Sequence, residues 1–540
     1  VSYDWRFSVR NSANTLNNIV QEALTNSPTG KVNIIAHSMG GLVTKEYLSR
    51  PGIVDSINKV ILLGVPNLGA PKAFKALNYG DNMGFAIGPF NVLNPNRVKI
   101  ITQNMPGVYE LLPTREYINL KGGYVRDFRN SQNLTLNYDQ TTNFMTSDPN
   151  LPDYRNSGLI NSADNYHQTV DKSSIIGPNV FNIVGCQNPD TIGEIRLYDK
   201  GNVDITAVDG DGTVPLTSAR ANSDNYQNYY ALYSQTKVDH SGLVKDEDIT
   251  KFVSDLITET NPTIPSGVSQ TISDCLDALP NPTKIIFSTH SPVNLHIYDG
   301  QNNHTGLNAN GDFEVNIPNS NFYMIGENSF ASVPAGVQYK VMIDAISSGS
   351  FDLKIKSYNG SVLTNSTAFL NVPLPNESFT ADLDFTDINS SLELNIDQNG
   401  DSVIDEVIVP DVELSNPASE DVTPPAIEII APSSDLHTRS SVLPIQINIS
   451  DTESGIGLIL KYFDGQPLSS DSIDLFFEKL GSHSLNFIVY DNSGNPAHAS
   501  KDIQVIATPD STISDIERTF QLGWIKKKNI KNSLINKLEL

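Results

Sequence analysis

Cysteine is nearly absent: Cys186 and Cys275 are the only two. A disulfide framework therefore cannot stand in for a hydrophobic core, and either one bridge or two buried thiols is left open. Positive charge is also scarce, with 36 Lys and Arg against 61 Asp and Glu and a net charge of -25. Such a surface repels phosphate backbones and argues against a nucleic-acid partner. No apolar run approaches the roughly 18 residues of a membrane-spanning helix. No signal peptide is recognisable in a chain that opens on Val1. What is present is 540 residues, too many for one domain, rich in the Asn, Ser, Thr and Asp that suit a solvated extracellular protein.

Val32 to Ile35 reads as a short buried strand that runs into Ala36-His37-Ser38-Met39-Gly40-Gly41 before a helical pattern begins at Leu42. This is the pattern of a nucleophile elbow, in which small residues two before and two after the serine (Ala36 and Gly40) permit a tight turn. The turn aims the unpaired N–H groups of the following helix at the reacting centre, with the Met39 N–H as one oxyanion donor. Taken alone, the pattern also fits a strand-turn-helix crossover with an incidental serine. Its surroundings bear on that choice. A strand end at Val1 to Arg6, a helix over Asn14–Leu24, the elbow, a helix to Leu48 and a buried strand at Lys59–Leu63 predict a parallel α/β sheet, with Ser38 at the carboxyl ends of its strands.

From about 72 to 180 no convincing strand follows, so an inserted cap is expected. Its aromatic residues, among them Phe85, Phe90, Tyr109, Tyr117, Tyr124, Phe144, Tyr154 and Tyr166, together with Met83, Met105 and Met145, should mostly form the cap's own core. A minority facing the pocket would give an apolar wall suited to acyl chains. Strands are read at Phe181–Val184 and Leu232–Ser234 and a helix through Ile249, Phe252, Val253 and Leu256. Between them lies the glycine-flanked turn Asp209-Gly210-Asp211-Gly212. Of nine histidines, only His240 follows a candidate acid loop and opens a terminal helix. The order Ser38, Asp211, His240 is the one that α/β-hydrolases use, and Asp209 is the alternative acid. The second oxyanion donor belongs on a loop preceding Val1, so the chain is expected to be a fragment, weakly active and with an uncovered sheet edge.

Tyr3-Asp4-Trp5-Arg6, Ala36-His37-Ser38-Met39-Gly40-Gly41, Gly64-Val65-Pro66-Asn67-Leu68-Gly69, Met105 to Pro113, Gly210-Asp211-Gly212-Thr213-Val214-Pro215 and His240 resemble, in order, the lecithin:cholesterol acyltransferase family and related bacterial lipases of the α/β-hydrolase fold. The resemblance implies Ser38 as nucleophile, Asp211 as acid and His240 as base, acting on lipid or other ester substrates. Hydrolysis and acyl transfer stay open, as do amidase, peptidase or thioesterase chemistry with the same residues and an adhesion protein with a vestigial hydrolase.

The hydrolase domain is expected over 1–260 and a linker with a short helix over 261–283. The short strands of 284–412 read as a β-sandwich. A linker follows over 413–423. The segment 424–508 has turns at Asp451–Ile456 and Val489–Asn495 that resemble bacterial immunoglobulin-like modules, spacers or adhesive stalks of exported proteins. The end, 509–540, reads as a helical hairpin whose apolar faces cover each other, the alternative being a membrane-surface helix. Asp397, Asn399, Asp401 and Asp405 have the oxygen spacing of a calcium loop. Glycine stands fourth, however, and Ile408 twelfth, and Asn399-Gly400 reads equally as a hairpin turn. No other cofactor is implied.

Overall fold

The computed structural model describes residues 3–81, 95–129, 133–147, 156–170, 179–188, 190–198, 201, 203–220, 226–258, 262–276, 283–290, 292–308, 311, 313–359, 362–387, 391–415, 421, 423–491 and 495–539. Two compact units emerge, residues 1–127 with 134–415, and residues 128–133 with 416–540. Among the described residues no helix is long and apolar enough to cross a membrane.

The first unit opens with α1 (Val9–Thr25), β1 (Val32–His37), α2 (Met39–Leu48), β2 (Ile57–Leu63), β3 (Asn179–Cys186), β4 (Tyr226–Leu232), α3 (Glu247–Thr258) and β5 (Val268–Ser269). Strands β1 to β4 lie side by side in chain order, all parallel, and β5 closes the far edge antiparallel to β4. β2 and β3 are buried along most of their length, as their continuous apolar runs require. β1 differs from expectation: Ile34 and Ala36 enter the core, whereas Asn33 and Ile35 are exposed, Ile35 by 52%. Alternate side chains of a strand point to opposite faces, so at β1 one face of the sheet is covered and the other open. β4 begins six residues before the predicted Leu232 because its outer half, Tyr226-Gln227-Asn228, is too polar to read as a strand.

The segment expected as a linker is, over 262–276, part of this domain. Val268 of β5 packs with Ile61, Ile183 and Phe252, and a short helix, Ser273–Leu276, is bonded through Cys275 to Cys186 at the end of β3. Of the two options for the cysteines, the bridge is the one found.

Between β2 and β3 the cap is built of helices, including Pro71–Tyr79, Arg115–Lys121, Tyr138–Ser147 and Ser157–Val170. A small sheet joins them, ordered Leu134–Thr135, Val125–Asp127, Ile192–Leu197, Val203–Ala207, so two of its strands come from beyond residue 180. Phe74, Tyr109, Tyr117, Tyr124 and Phe144 fill the cap's core, with Phe74 and Tyr124 edge to face at 5.6 Å. Met83, Phe85, Phe90 and Tyr154 lie outside the described residues.

Glu110 reaches from the cap to the start of α1, where its carboxylate accepts the Val9 N–H at 2.7 Å. Burial pushes this carboxyl up to about 7, outweighing that bond and the nearby His167. A carboxyl raised in the folded state opposes folding once ionised, so stability should fall as pH rises from about 4.5 to about 7 and level off above. Glu110→Gln keeps an acceptor for Val9 and should flatten this slope, gaining at most about 3 kcal/mol at pH 8 in urea unfolding and nothing at pH 4.

The sandwich of residues 283–415 packs a six-stranded sheet on a seven-stranded one, around Phe287, Leu295, Ile297, Phe351 and Leu383. It is not a free accessory. Ile325 and Phe330 belong to the same apolar core as Phe74 and Tyr124 of the cap, Lys75 lies 5.7 Å over the Tyr323 ring, and Lys284 and Lys356 pair with Asp190 and Asp204 at 3.3 and 3.1 Å. Although Asp204 is buried, Lys356 and Lys354 hold its carboxyl below the usual range.

The loop read as a calcium candidate is a hairpin between Leu394–Asp397 and Glu406–Ile408. Asp397 Oδ1 accepts the N–H groups of Asn399 and Gly400, and its Oδ2 that of Ser402; Asn399, Asp401 and Asp405 accept those of Asp401, Val403 and Gln398. The spacing is therefore that of successive side-chain-to-backbone turns. Asp397, Asp401 and Asp405 do not gather their oxygens within the span of one ion.

In the second unit a five-stranded sheet, led by Gly481–Asp491 and Pro496–Ile506, packs with the pair Ala426–Ala431 and Gln446–Ser450 around Leu443, Leu475, Leu485 and Phe487. Helices Pro509–Gln521 and Lys528–Asn536 follow, separated at Gly523, whose φ of 76° ends the first. The helices touch through Lys531 and Glu517, but the second buries no residue, and Ile530 and Leu534 stay exposed. The expected mutual cover is partial because the first helix also docks on the sandwich: Arg518 grips Asp474 with both nitrogens, and just past it Trp524 stands against Phe476.

Candidate active site

The chain leaves β1 at His37 and turns directly into α2, leaving Ser38 at φ 54°, ψ -133°, a conformation that side-chain-bearing residues rarely hold. The Ser38 N–H is tied to the Leu63 carbonyl at 2.9 Å. The close approach behind the turn falls one residue later than expected. A Cβ on Gly40 would meet nothing nearer than 3.9 Å, whereas one on Gly41 would stand 2.2 Å from Val65. Met39 is the first residue of α2, so its N–H has no acceptor within the helix and faces outward beside Ser38.

Asp211 lies in the turn after the small-sheet strand Val203–Ala207, fully buried. Its Oδ1 accepts the N–H groups of Thr213 and Val214 at 3.0 and 2.7 Å, which leaves Oδ2 for His240 Nδ1 at 2.7 Å. The backbone repeats the link, with the His240 N–H on the Asp211 carbonyl at 2.8 Å. His240 Nε2 then reaches Ser38 Oγ at 2.9 Å. Thus Ser38, Asp211 and His240, which are far apart in sequence, are brought together. Asp209 is not: it makes no bond to His240, and burial raises its carboxyl.

His37 is a residue that the sequence reading set aside. Its Nε2 lies 2.9 Å from the His240 carbonyl and its ring 4.7 Å from the His240 ring. Burial, with His240 beside it, lowers its pKa. A neutral imidazole donating to a carbonyl must carry its proton on Nε2, so His37 braces the turn from which His240 projects. Its place next to the nucleophile was visible in the sequence; its non-local acceptor was not.

Gly64 packs against the same pair, with φ 55°. A Cβ there would lie 2.9 Å from Asp211 Oδ2 and 3.1 Å from His240 Nδ1. Gly64→Ala should therefore displace the imidazole and cost about 10²-fold or more in the rate of Ser38 acylation, measured well below the variant's melting temperature.

A cavity of about 600 Å³ opens over Ser38. Its apolar wall is Trp5, Ala70, Ala73, Val108, Leu111 and Val214, with Lys72 and Asp81 adding charge. Of the cap aromatics named from sequence, Tyr109, Tyr117, Tyr124 and Phe144 fill the cap's core and Tyr166 packs with Leu42 and Tyr47 of α2; none of these five lines the cavity.

Residues 1–176 match the lecithin:cholesterol acyltransferase family model. The matched segment carries Ser38 and ends before Asp211 and His240. It suggests a serine acyl hydrolase or acyltransferase, with a lipid ester as substrate. Among solved structures, the chain is similar to the Bacillus licheniformis lipase BlEst2 in propeptide form, at 11% identity over 92% of this chain and 84% of that one, with a TM-score of 0.33. It is also similar to the fibronectin(III)-like modules of Clostridium thermocellum CbhA, at 17% identity over 32% of this chain and 87% of that one, with a TM-score of 0.15. No curated protein matches it in sequence.

Proposed function

We propose that the chain is an exported serine esterase or lipase that cleaves acyl esters of lipid-like substrates. The observation that carries this reading is the unbroken hydrogen-bonded series Ser38 Oγ, His240 Nε2, His240 Nδ1, Asp211 Oδ2 at the floor of a largely apolar cavity. As Ser38 Oγ attacks the ester carbonyl, its proton passes to His240 Nε2. Asp211 stays ionised, fixes the Nδ1–H tautomer and stabilises the imidazolium. The tetrahedral oxyanion is met by the Met39 N–H. His240 then gives its proton to the departing alkoxide, leaving an acyl ester on Ser38, and a water or an acceptor alcohol, deprotonated by His240, releases the acyl group. The Cys186–Cys275 bridge supports export, since such bonds persist in oxidising compartments. A fluorophosphonate probe tests the reading: Ser38 should be labelled, and p-nitrophenyl acyl esters should turn over faster than the matching anilides. An unlabelled, folded protein would make the domain a vestigial one.

A further inference from the structure

At one end of the second unit's sandwich, three aspartates converge from separate segments. Asp421 precedes the strand Ala426–Ala431, Asp451 follows Gln446–Ser450, and Asp491 ends Gly481–Asp491. One carboxylate oxygen from each lies within 4.8 Å of the other two, the one such group among the described residues. Oxygens bound to a single calcium at about 2.3–2.6 Å can stand no farther apart than about 5 Å, so one ion reaches all three.

The hydrogen bonding around these groups is incomplete in one place. Asp491 is fully buried and takes the Asn495 N–H at 2.9 Å and the Asn495 amide at 2.7 Å. Asp451 Oδ1 gathers the N–H groups of Glu453, Ser454 and Gly455 at 3.1, 2.9 and 2.6 Å. Asp421, only 8% exposed, spends Oδ1 on the Thr423 N–H at 2.9 Å, while its Oδ2 is buried and accepts no hydrogen bond. Leaving a buried carboxylate oxygen unpaired is costly, and crowding it with further anions raises that cost.

We propose that Asp421, Asp451 and Asp491 hold a calcium ion, with Asp421 Oδ2 supplying the oxygen that no protein donor reaches. The ligands are all oxygen, which disfavours zinc and the softer metals. Three protein carboxylates on one ion suit calcium better than magnesium, which keeps most of its waters and is held by one or two carboxylates. Because Asp421 stands ahead of the first strand, the ion ties it to the ends of the strands Gln446–Ser450 and Gly481–Asp491. The Asn495 amide bond to the Asp421 carbonyl, at 3.0 Å, already begins that tie.

The test uses the full chain stripped with chelator. Calcium chloride should titrate to one saturating site in calorimetry and raise the melting transition of residues 421–539, whereas magnesium chloride should bind at least 10²-fold more weakly. Asp421→Asn and Asp451→Asn should each weaken calcium at least 10-fold while melting in chelator at or above the wild-type temperature, since each removes a repelling charge. Asp397→Asn should leave the site intact. No saturable heat, or calcium binding that survives both substitutions or is lost with Asp397→Asn, would overturn the assignment.

Discussion

Ser38→Ala should lower ester turnover by on the order of 10⁶-fold, to the level left by binding and the remaining anion donor alone. The magnitude follows from the geometry. Ser38 Oγ is the hydroxyl that stands 2.9 Å from His240 Nε2, so its loss removes the nucleophile and leaves the His240 base with no proton to take from it. Stability should hardly move. Alanine keeps the Cβ, so the unusual backbone at φ 54° costs as much as before. Ser38→Gly separates the two effects: it should be equally inactive, yet about 1 kcal/mol more stable because glycine holds this conformation without strain. Rates on p-nitrophenyl acylates beside calorimetric melting of both variants check this. An alanine variant that still turns over substrate would remove Ser38 from the chemistry.

The second large effect concerns Cys186 and Cys275. They lie 89 positions apart, so opening the bridge frees a long loop in the unfolded chain and should cost about 4–5 kcal/mol in the loop-entropy model. The Cys186→Ser, Cys275→Ser double variant should accordingly melt about 5 °C lower. Activity should decline before melting. Gln187, the residue after Cys186, bonds both Ser234 and the Asp274 carbonyl beside the bridge, and its neighbour Asn188 donates its N–H to the Gly210 carbonyl and its side-chain amide to the Asp211 carbonyl. Slackening this corner loosens the Asp211 carboxylate that orients His240. A double variant with wild-type melting and wild-type rate below the transition would show the bridge to be dispensable.

Much of the site was legible because its signals are local. The elbow around Ser38 is a run of small residues between a strand and a helix, and the glycine-flanked turn around Asp211 and the lone suitable His240 follow in order. The choice between Asp209 and Asp211 was not local: only the folded turn shows that the Thr213 and Val214 N–H groups orient Asp211. β2 and β3 were readable from unbroken apolar runs, whereas β4 was hidden by Tyr226-Gln227-Asn228, and the half-exposed edge position of β1 was masked by Ile35. In the first sandwich, nothing in the sequence of Phe322–Ile325 reveals that Ile325 enters the core of the cap, roughly 200 residues earlier in the chain.

That shared core sets how tension would travel through the first unit. In the six-stranded sheet, Val412–Ser415 forms one edge and Asn321–Ile325, the strand that meets the cap, forms the other, with four strands between. A pull applied at residue 415 must first strip a four-residue strand held by pairing with Asn365–Ala368. The first strand to peel is thus at the edge away from the cap, so the opening move of such an extension falls on the far side of the sheet from the cleft over Ser38.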